Sequence, residues 1–443
     1  MEFDYEKSSV SSIVEFSRRL SGKSLAEVVF IPREIVNSTN KGDLGSLVEA
    51  FFFGHKPGNE QGPDFPEAGL ELKTTGVIQD SKKRFRAKER LVLTMVNFET
   101  LVEEEWATSS LLSKCGVMLI LFYLYEKDRP VVDRRFVLEP MLHRMLERDW
   151  RVIQADWEKI RQMVRDGKAH ELSEGDTLYL SACRKGAGGE REALRKQPFS
   201  PQGAKSRAFS LKPSYINVLI QGHPEADVLG LGHTATIEDA IARRLERFIG
   251  LAVDEIAEVF EVPQGPKGNK GFHRQLVLKM LAAGGNSVPE LDKAGVELKT
   301  VRLTASGRPR ESMSFPGFKF MGIVDEVWEE SVFFEKLEKK FLLMAFQPDV
   351  NGKEIFIGAM LWNMPFQDRL EAKRVWEETR RRVIIDATDL PKISESSVAH
   401  VRPKGKNGAD VIPTPQGGYH LRQAFWLNAT YIGGIISSSL QTS

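Results

Sequence analysis

The spacing of apolar residues along the chain predicts a mixture of helices and strands. Residues 41–53 carry apolar side chains at helical spacing, and residues 150–166 and 236–260 each predict one long amphipathic helix. Apolar runs of strand length occupy residues 70–77, 90–96, 117–125 and 341–346. This order of elements indicates an α/β fold in which a central mixed sheet is flanked by helices.

Three sequence motifs occur twice, in the same order. The pairs are residues 40–42 and 269–271, residues 68–74 and 294–300, and residues 208–215 and 424–431. In the second pair, Ala-Gly-Leu-Glu-Leu-Lys-Thr returns as Ala-Gly-Val-Glu-Leu-Lys-Thr. A period this long indicates a duplicated domain rather than a solenoid. We therefore predict two related modules, residues 1–222 and 223–443, joined near the Gly-rich segment 221–233.

The composition excludes several classes of protein. With 443 residues, 41% hydrophobic and 28% charged, the chain has the make-up of folded globular domains. Its apolar runs are too short to cross a membrane, and its polar start does not resemble a secretory signal. Cys115 and Cys183 are too few for a disulfide framework or a four-cysteine zinc site. With no phosphate-binding loop motif either, we expect a cytoplasmic protein without a nucleotide cofactor.

Basic residues are concentrated in two stretches of a chain whose net charge is only +1. Residues 82–90 hold six Lys or Arg against one Glu, and residues 184–212 hold eight against two. Such stretches can bind phosphates, but a solvated basic face is the more common meaning of any single run. Both interpretations remain open at this stage.

Two acidic residues and a lysine form the first candidate site. Asp64 lies in a turn containing Pro66 and Gly69, and Glu71 and Lys73 follow on one face of the predicted strand. Two converging carboxylates suit Mg²⁺, and an adjacent lysine can orient a water molecule for hydrolysis of a phosphodiester. The pattern alone is weak, because an exposed strand edge with Glu71 and Lys73 paired in solvent matches it equally well.

The surrounding motifs resemble the MutH family. Residues 40–49, Asn-Lys-Gly-Asp-Leu-Gly-Ser-Leu-Val-Glu, and residues 63–74, Pro-Asp-Phe-Pro-Glu-Ala-Gly-Leu-Glu-Leu-Lys-Thr, carry the resemblance. Weaker similarities lie at residues 113–114, 149–158, 175–180 and 207–212. This family contains the mismatch-repair nicking endonuclease and type II restriction endonucleases that cut at GATC. The resemblance implies a restriction-endonuclease-like PD-(D/E)xK fold, duplicated in tandem.

The resemblance also implies roles for individual residues. Asp64 and Glu71 become metal ligands, with Glu49 as a supporting carboxylate on the preceding helix. Lys73 positions the attacking water, and Lys114 is a further active-site lysine carried by the apolar strand. The residues expected to contact DNA in this module are Arg184, Lys185, Arg207, Lys212 and Tyr215.

The second module carries an altered copy of the site. Glu297 and Lys299 repeat the strand carboxylate and its lysine. Glu290 replaces the aspartate, Leu278 replaces the helix carboxylate, and Lys340 is the candidate for the additional lysine. A site that has lost one carboxylate and lengthened another is expected to bind Mg²⁺ poorly.

The DNA-binding end of the second module keeps its basic character. Arg402, Lys404 and Lys406 follow a predicted strand, as the DNA-binding loop of the family does. We therefore predict a module that lost cleavage and binds a second copy of DNA as an effector. The alternative is that residues 223–443 only complete the fold.

Taken together, the motifs predict a Mg²⁺-dependent type II restriction endonuclease that cuts double-stranded DNA at GATC or a close relative. One active site per chain implies two catalytic modules, in a DNA-induced dimer, or two successive nicks. The alternatives are a MutH-like nicking enzyme of mismatch repair, which resembles one module only, and a non-catalytic DNA-binding sensor.

Overall fold

The computed structural model describes residues 4–32, 43–55, 62–185, 194–222, 225–233, 236–263, 271–282 and 285–440. Two sequence features lie outside these ranges. They are the two Asn-Lys-Gly motifs, residues 40–42 and 269–270, and the centre of the second basic stretch, residues 186–193. Within the described residues, none of the helices combines the length and the apolar character that a membrane crossing requires.

Helices and strands alternate along the described chain. The α-helices α1 to α15 are Val10–Ser17, Leu25–Val28, Asp43–Leu47, Phe98–Leu101, Ser110–Cys115, Glu147–Arg165, Pro213–Gln221, Ile237–Leu245, Val253–Val259, Phe272–Leu281, Pro289–Ala294, Phe320–Ile323, Val332–Leu337, Phe366–Ile385 and Ala429–Leu440. The strands β1 to β17 are Glu71–Gln79, Phe85–Ala87, Leu91–Val96, Val117–Leu124, Met141–Arg144, Leu180–Arg184, Arg195–Gln197, Ser200–Ala204, Arg207–Leu211, Glu297–Arg302, Met313–Gly317, Lys340–Pro348, Glu354–Asn363, Ala399–Pro403, Val411–Pro413, Tyr419–Leu421 and Gln423–Leu427.

The first half contains two main sheets. In one, β1 and β4 run parallel at the centre, with β2 and β5 antiparallel at the edges. Strand β4 is an almost unbroken apolar run, which suits a strand buried on both faces. The other sheet has the order β3-β9-β6, and β7 and β8 form a separate hairpin. The prediction of a mixed α/β fold is confirmed, although each half divides its strands between two main sheets.

The second half repeats this arrangement of strands. Strands β10 and β12 pair in parallel, and β13 joins the other side of β12 antiparallel. The second sheet has the order β11-β17-β14, matching β3-β9-β6, and β15 with β16 matches the β7-β8 hairpin. The parallel pair has a matching register, because Glu71 lies beside Met118 and Glu297 lies beside Phe341.

One predicted helix is wrong in its extent. The segment 236–260 forms two helices, α8 and α9, rather than one. Gly250 between them has a φ of 84°, a backbone conformation that glycine adopts readily. Its amide donates to the Phe356 carbonyl at 2.8 Å, so a contact with β13 redirects the chain. Apolar spacing continues through this turn and does not reveal it.

A shared hydrophobic core joins the two halves. One cluster of buried side chains includes Trp157 and Leu219 from the first half and Val277, Met280 and Met344 from the second. The predicted boundary at residues 222 and 223 therefore lies between segments that pack into the same core. The division into two domains stays a prediction.

A buried ion pair also connects the halves. The Lys293 ammonium lies 2.7 Å from the Asp149 carboxylate, and both side chains are 1% exposed. The Tyr215 hydroxyl donates to the same carboxylate at 2.8 Å. Burial of these charges is tolerated because each has a partner, and removing one partner leaves the other uncompensated in a medium of low dielectric constant.

We expect Lys293→Met to lower the free energy of unfolding by about 3–5 kcal/mol, because Asp149 then remains buried without its cation. Urea unfolding followed by tryptophan fluorescence measures this change. The control Lys373→Met removes an exposed pair with Glu377 and is expected to cost less than about 1 kcal/mol. Equal losses in the two variants would contradict the assignment, and Asp149→Asn added to Lys293→Met is expected to restore part of the stability.

Candidate functional site

A short turn brings Asp64 back to the start of β1. Phe65 and Leu70 exchange backbone hydrogen bonds of 2.9 and 3.2 Å across the turn Pro66–Ala68. Gly69 ends this turn with a φ of 61°, which a residue with a side chain adopts at a cost. The local sequence therefore folds Asp64 towards Glu71 without help from distant residues.

Asp64 and Glu71 hold each other in place through the backbone. The Asp64 amide donates to Glu71 Oε2 at 3.2 Å, and the Leu72 amide donates to Asp64 Oδ2 at 2.8 Å. These reciprocal bonds fix both carboxylates at one end of the parallel pair of strands. The structure thus brings together the two residues that were predicted as metal ligands.

Two lysines converge on the Glu71 carboxylate. Lys73 Nζ lies 2.5 Å and Lys114 Nζ 3.6 Å from Glu71 Oε1, and the Glu71 side chain is only 1% exposed. Lys73 Nζ also donates to the Leu93 carbonyl at 3.2 Å, so it is held from two sides. Burial raises the pKa of Glu71, although both lysines act in the opposite direction. The arrangement differs from a solvated surface pair, because Glu71 is removed from water.

Lys114 reaches the site from an element other than the one predicted. It lies in the last turn of α5, which begins after Ser109 and ends before β4, and not on the apolar strand. The Ser109 hydroxyl caps this helix by accepting from the Leu112 amide at 3.2 Å. The predicted position is corrected, and the lysine still lies beside the carboxylate.

Glu49 faces the same cluster from the π-helical turn Val48–Phe52. Burial, followed by the Asp64 carboxylate, raises the pKa of Glu49 to about 7. Excess negative charge at this point favours a divalent cation, and carboxylate oxygens are the ligands that Mg²⁺ prefers. Across the described ranges, however, no three His, Cys, Asp or Glu side chains are already grouped as a metal cage. The carboxylate oxygens of this cluster are suitable metal ligands. The side chains that already contact the Glu71 carboxylate, however, are the lysines.

Three residues predicted to contact DNA are instead buried. Arg207 donates to the carbonyls of Ala182 and Leu172, at 2.9 and 2.7 Å. Lys212 Nζ donates to the Thr177 carbonyl at 2.7 Å. Tyr215 is fully buried and bonded to the carboxylate of the inter-half ion pair. Their polar groups are used inside the protein, so the prediction that they contact DNA is corrected to a structural role.

Arg184 and Lys185 lie where the halves meet. Arg184 is the last residue of β6. Its guanidinium lies 3.5 Å from Glu338 and stacks over the Phe334 ring at 4.7 Å, both in the second half. Lys185 and Arg184 line a crevice of about 880 Å³ between the halves. Their assignment to DNA stays a prediction.

The altered copy of the site does not assemble as predicted. Glu290 is buried and accepts from the Leu229 amide at 2.8 Å, so its carboxylate is used inside the second half. Lys340 is also buried, and its nearest hydrogen-bond partner is Asn363 at 3.5 Å. Burial, with Lys159 next, lowers the pKa of Lys340 to about 8. Glu290 and Lys340 therefore do not lie beside Glu297 as Asp64 and Lys114 lie beside Glu71, which is what the repeated motifs predicted.

Lysines 336 and 339 were missed by the sequence comparison. Lys336 Nζ lies 2.6 Å and Lys339 Nζ 3.6 Å from Glu297 Oε1, and Lys299 Nζ lies 3.5 Å from Glu297 Oε2. A signal was present in the chain: Ser331 caps α13 as Ser109 caps α5. Counting from these serines places Lys336 at the position of Lys114.

The basic end of the second half is exposed. Arg402, Lys404 and Lys406 lie at and beyond the end of β14, and all three are accessible to solvent. The Arg402 guanidinium stacks over the Trp426 ring at 4.8 Å, and Lys404 Nζ donates to the Phe315 carbonyl at 2.6 Å. These three lie where a large ligand can reach them, and their assignment to DNA stays a prediction.

Comparison with known proteins gives a consistent result. The family model described as DNA mismatch repair enzyme MutH matches residues 53–156 and 280–371. The Type II restriction enzyme Sau3AI of Staphylococcus aureus is 31% identical, covering 89% of this chain and 92% of that enzyme. The DNA mismatch repair protein MutH of Pasteurella multocida is 28% identical, covering 43% of this chain and 94% of that protein. MutH of Shewanella amazonensis is 29% identical, with coverages of 39% and 79%.

The raised pKa of Glu49 predicts how stability depends on pH without metal. The folded state favours the protonated carboxyl, so its stabilising contribution is present below pH 4.5 and is lost as the pH rises through about 7. We expect Glu49→Gln in EDTA at pH 8 to be more stable than the parent by about 1–2 kcal/mol, after allowance for partial exposure.

Urea unfolding at pH 5 and pH 8 measures this difference. As the control, Glu103→Gln replaces an exposed carboxyl of the same half and is expected to leave the difference between the two pH values unchanged. A Glu49→Gln variant that is destabilised at pH 8 would contradict the raised pKa. Excess Mg²⁺ is expected to stabilise the parent more than the variant, because the variant loses a ligand.

Proposed function

The chain belongs to the MutH family of DNA endonucleases, and we propose that it is a Mg²⁺-dependent type II restriction endonuclease acting at GATC or a closely related site. The observation that carries the proposal is the cluster of Asp64, Glu71 and Lys73 at the start of β1. The similarity to a type II restriction enzyme over nearly the whole chain supports restriction rather than repair. We also propose that this hydrolysis of DNA takes place in the cytoplasm.

In this mechanism the chain supplies ligands, a water-positioning group and charge. Asp64 and Glu71 would hold Mg²⁺, with Glu49 as a further carboxylate. Such a metal, when bound, would supply a water molecule of lowered pKa and positive charge beside the phosphate. Lys73, held between Glu71 and the Leu93 carbonyl, orients the attacking water. Lys114 contributes a second positive charge near the scissile phosphate.

We further propose that the halves arose by tandem duplication, with residues 1–222 cutting DNA and residues 223–443 binding it as an effector. Matching sheet orders and the equivalent parallel pairs support the duplication. In the second half, Glu297 has three lysines around it and lacks the accompanying carboxylates. The effector role is supported by the exposed basic residues at the end of β14.

With one catalytic half per chain, cutting both strands of a duplex requires either two chains or two successive nicks. We propose a dimer that forms on DNA, with the second halves engaging further copies of the sequence. Arg184 and Lys185 are candidates for transmitting DNA contact, since they lie between the halves beside Glu338.

Asp64→Ala is expected to reduce cleavage of unmethylated plasmid with Mg²⁺ by more than about 100-fold, because a direct ligand is lost. DNA binding, measured by gel retardation, is expected to persist. Fragment ends from the parent are sequenced to identify the recognition site and the cut position. Asp128→Ala, at an exposed position of the same half, is the control and is expected to cut normally.

Different outcomes of the plasmid digest separate the possible functions. Linear fragments with GATC at their ends support the restriction enzyme, whereas nicked circles alone would indicate the repair-type activity. Continued Mg²⁺-dependent cutting by Asp64→Ala would refute the proposed metal site. Retarded but uncut plasmid would favour a binding protein, unless a methylated substrate is then cut.

Arg402→Ala combined with Lys404→Ala is expected to slow cleavage about tenfold or more at physiological salt, because two phosphate contacts of the effector half are lost. Steady-state cleavage of a plasmid with several GATC sites measures the effect. As the control, Arg308→Ala with Lys353→Ala removes the same charge from exposed turns. Unchanged rates and unchanged stoichiometry of DNA binding in the first variant would contradict the effector role.

A further inference from the structure

The equivalent sites of the two halves carry opposite charge. In the first, the carboxylates of Glu49, Asp64 and Glu71 outnumber the ammonium groups of Lys73 and Lys114 by one. In the second, three lysines surround the Glu297 carboxylate, and one of them, Lys339, also lies 3.7 Å from the exposed Glu335 carboxylate. With Glu335 counted, the second site has an excess of one positive charge, whereas the first has an excess of one negative charge when its carboxylates are ionised.

The lysines at Glu297 are firmly placed but remain within reach of solvent. The side chains of Lys299, Lys336 and Lys339 are 28, 25 and 31% exposed. Burial alone would raise the pKa of Glu297, but the hydrogen bond and charge of Lys336 hold it below its usual range. The carboxylate is thus ionised and organises the three ammonium groups around it.

Positive charge continues from this site towards the exposed end of β14. Lys299 lies over the Phe315 ring, at 6.0 Å, and Lys404 Nζ donates to the Phe315 carbonyl at 2.6 Å. Burial, followed by repulsion from Lys299, lowers the pKa of Lys404. Arg402 and Lys404 both lie over the Trp426 ring, at 4.8 and 5.9 Å, so Phe315 and Trp426 connect Lys299 to Arg402 through Lys404.

We propose that the pocket formed by Glu297, Lys299, Lys336 and Lys339 binds a DNA phosphodiester without a divalent cation. This inference rests on the proposed effector role and names the group that holds the phosphate. A bound Mg²⁺ would bring the first site from an excess of one negative charge to one positive charge. The second site has a net positive charge without metal, because its lysines supply the positive charge that Mg²⁺ would supply in the first site.

The presence of lysines in place of metal-binding carboxylates also explains why this pocket is expected to bind DNA without cutting it. Ammonium groups attract a phosphate, but they hold no metal-activated water for attack on phosphorus. Glu290, the carboxylate that the sequence comparison placed here, is instead used by the Leu229 amide. Binding by this pocket is therefore expected to persist in EDTA and to weaken with salt.

The test uses the full chain carrying Asp64→Ala, so that no DNA is consumed. A fluorescein-labelled GATC duplex is titrated in EDTA and in Mg²⁺, with anisotropy for affinity and native mass spectrometry for the number of duplexes bound. We expect a second duplex to bind in EDTA about as well as in Mg²⁺. Lys336→Gln with Lys339→Gln is expected to weaken that second binding step about tenfold and to reduce its salt dependence by about one to two ions.

Two further variants sharpen the test. Lys353→Gln with Lys392→Gln removes two exposed lysines elsewhere in the same half and is expected to change nothing. Glu297→Gln removes the negative charge at the centre of the pocket, and we expect it to tighten the second binding step, a change that loss of structure would not produce.

Loss of the second duplex in EDTA, or affinities that match the control in the lysine variant, would overturn the proposal. Failure of the proposed function has a different signature, since the parent chain would then leave unmethylated plasmid uncut in Mg²⁺. A chain that cuts plasmid but binds its second duplex only with Mg²⁺ refutes this inference alone.

Discussion

The parallel pairing of a strand that begins with Glu-Leu-Lys with an apolar strand is the constraint on which both halves are built. In the first half, the register that sets Glu71 beside Met118 also brings the end of helix α5 to the carboxylate, with Lys114 on it. In the second half, the equivalent register sets Glu297 beside Phe341 and brings Lys336 to the equivalent place. The strand pair thus determines where charge collects, and the side chains determine its sign.

The sign of that charge separates two kinds of chemistry on one scaffold. Burial, followed by the charge of Asp64, raises the pKa of Glu49, and a divalent cation would offset this cost of ionisation. A carboxylate ringed by lysines is stable by itself and leaves positive charge available to an anion. In the functions proposed for the two halves, a few different side chains around equivalent strands distinguish a site for metal-assisted hydrolysis from one for binding phosphate.

Several polar side chains near the junction between the halves would be assigned to DNA contact on their charge alone, but they are bonded within the protein. Arg207 and Lys212 donate to backbone carbonyls, and Tyr215 bonds to the buried carboxylate of Asp149. Arg184 pairs across the junction with Glu338. A shared apolar core and a buried ion pair connect the two halves. A ligand that binds one half therefore binds a structure that is packed against the other half.

The sequence by itself determined the α/β character, the central strands, the repeated motifs and the turn that joins Asp64 to Glu71, because each depends on residues close together in the chain. It did not reveal the break at Gly250, the burial of Arg207, or the direction of Glu290. Those depend on contacts with β13, with neighbouring carbonyls and with the Leu229 amide. A charged residue has the same letter whether it faces solvent or satisfies a buried carbonyl, and only packing between distant segments decides which.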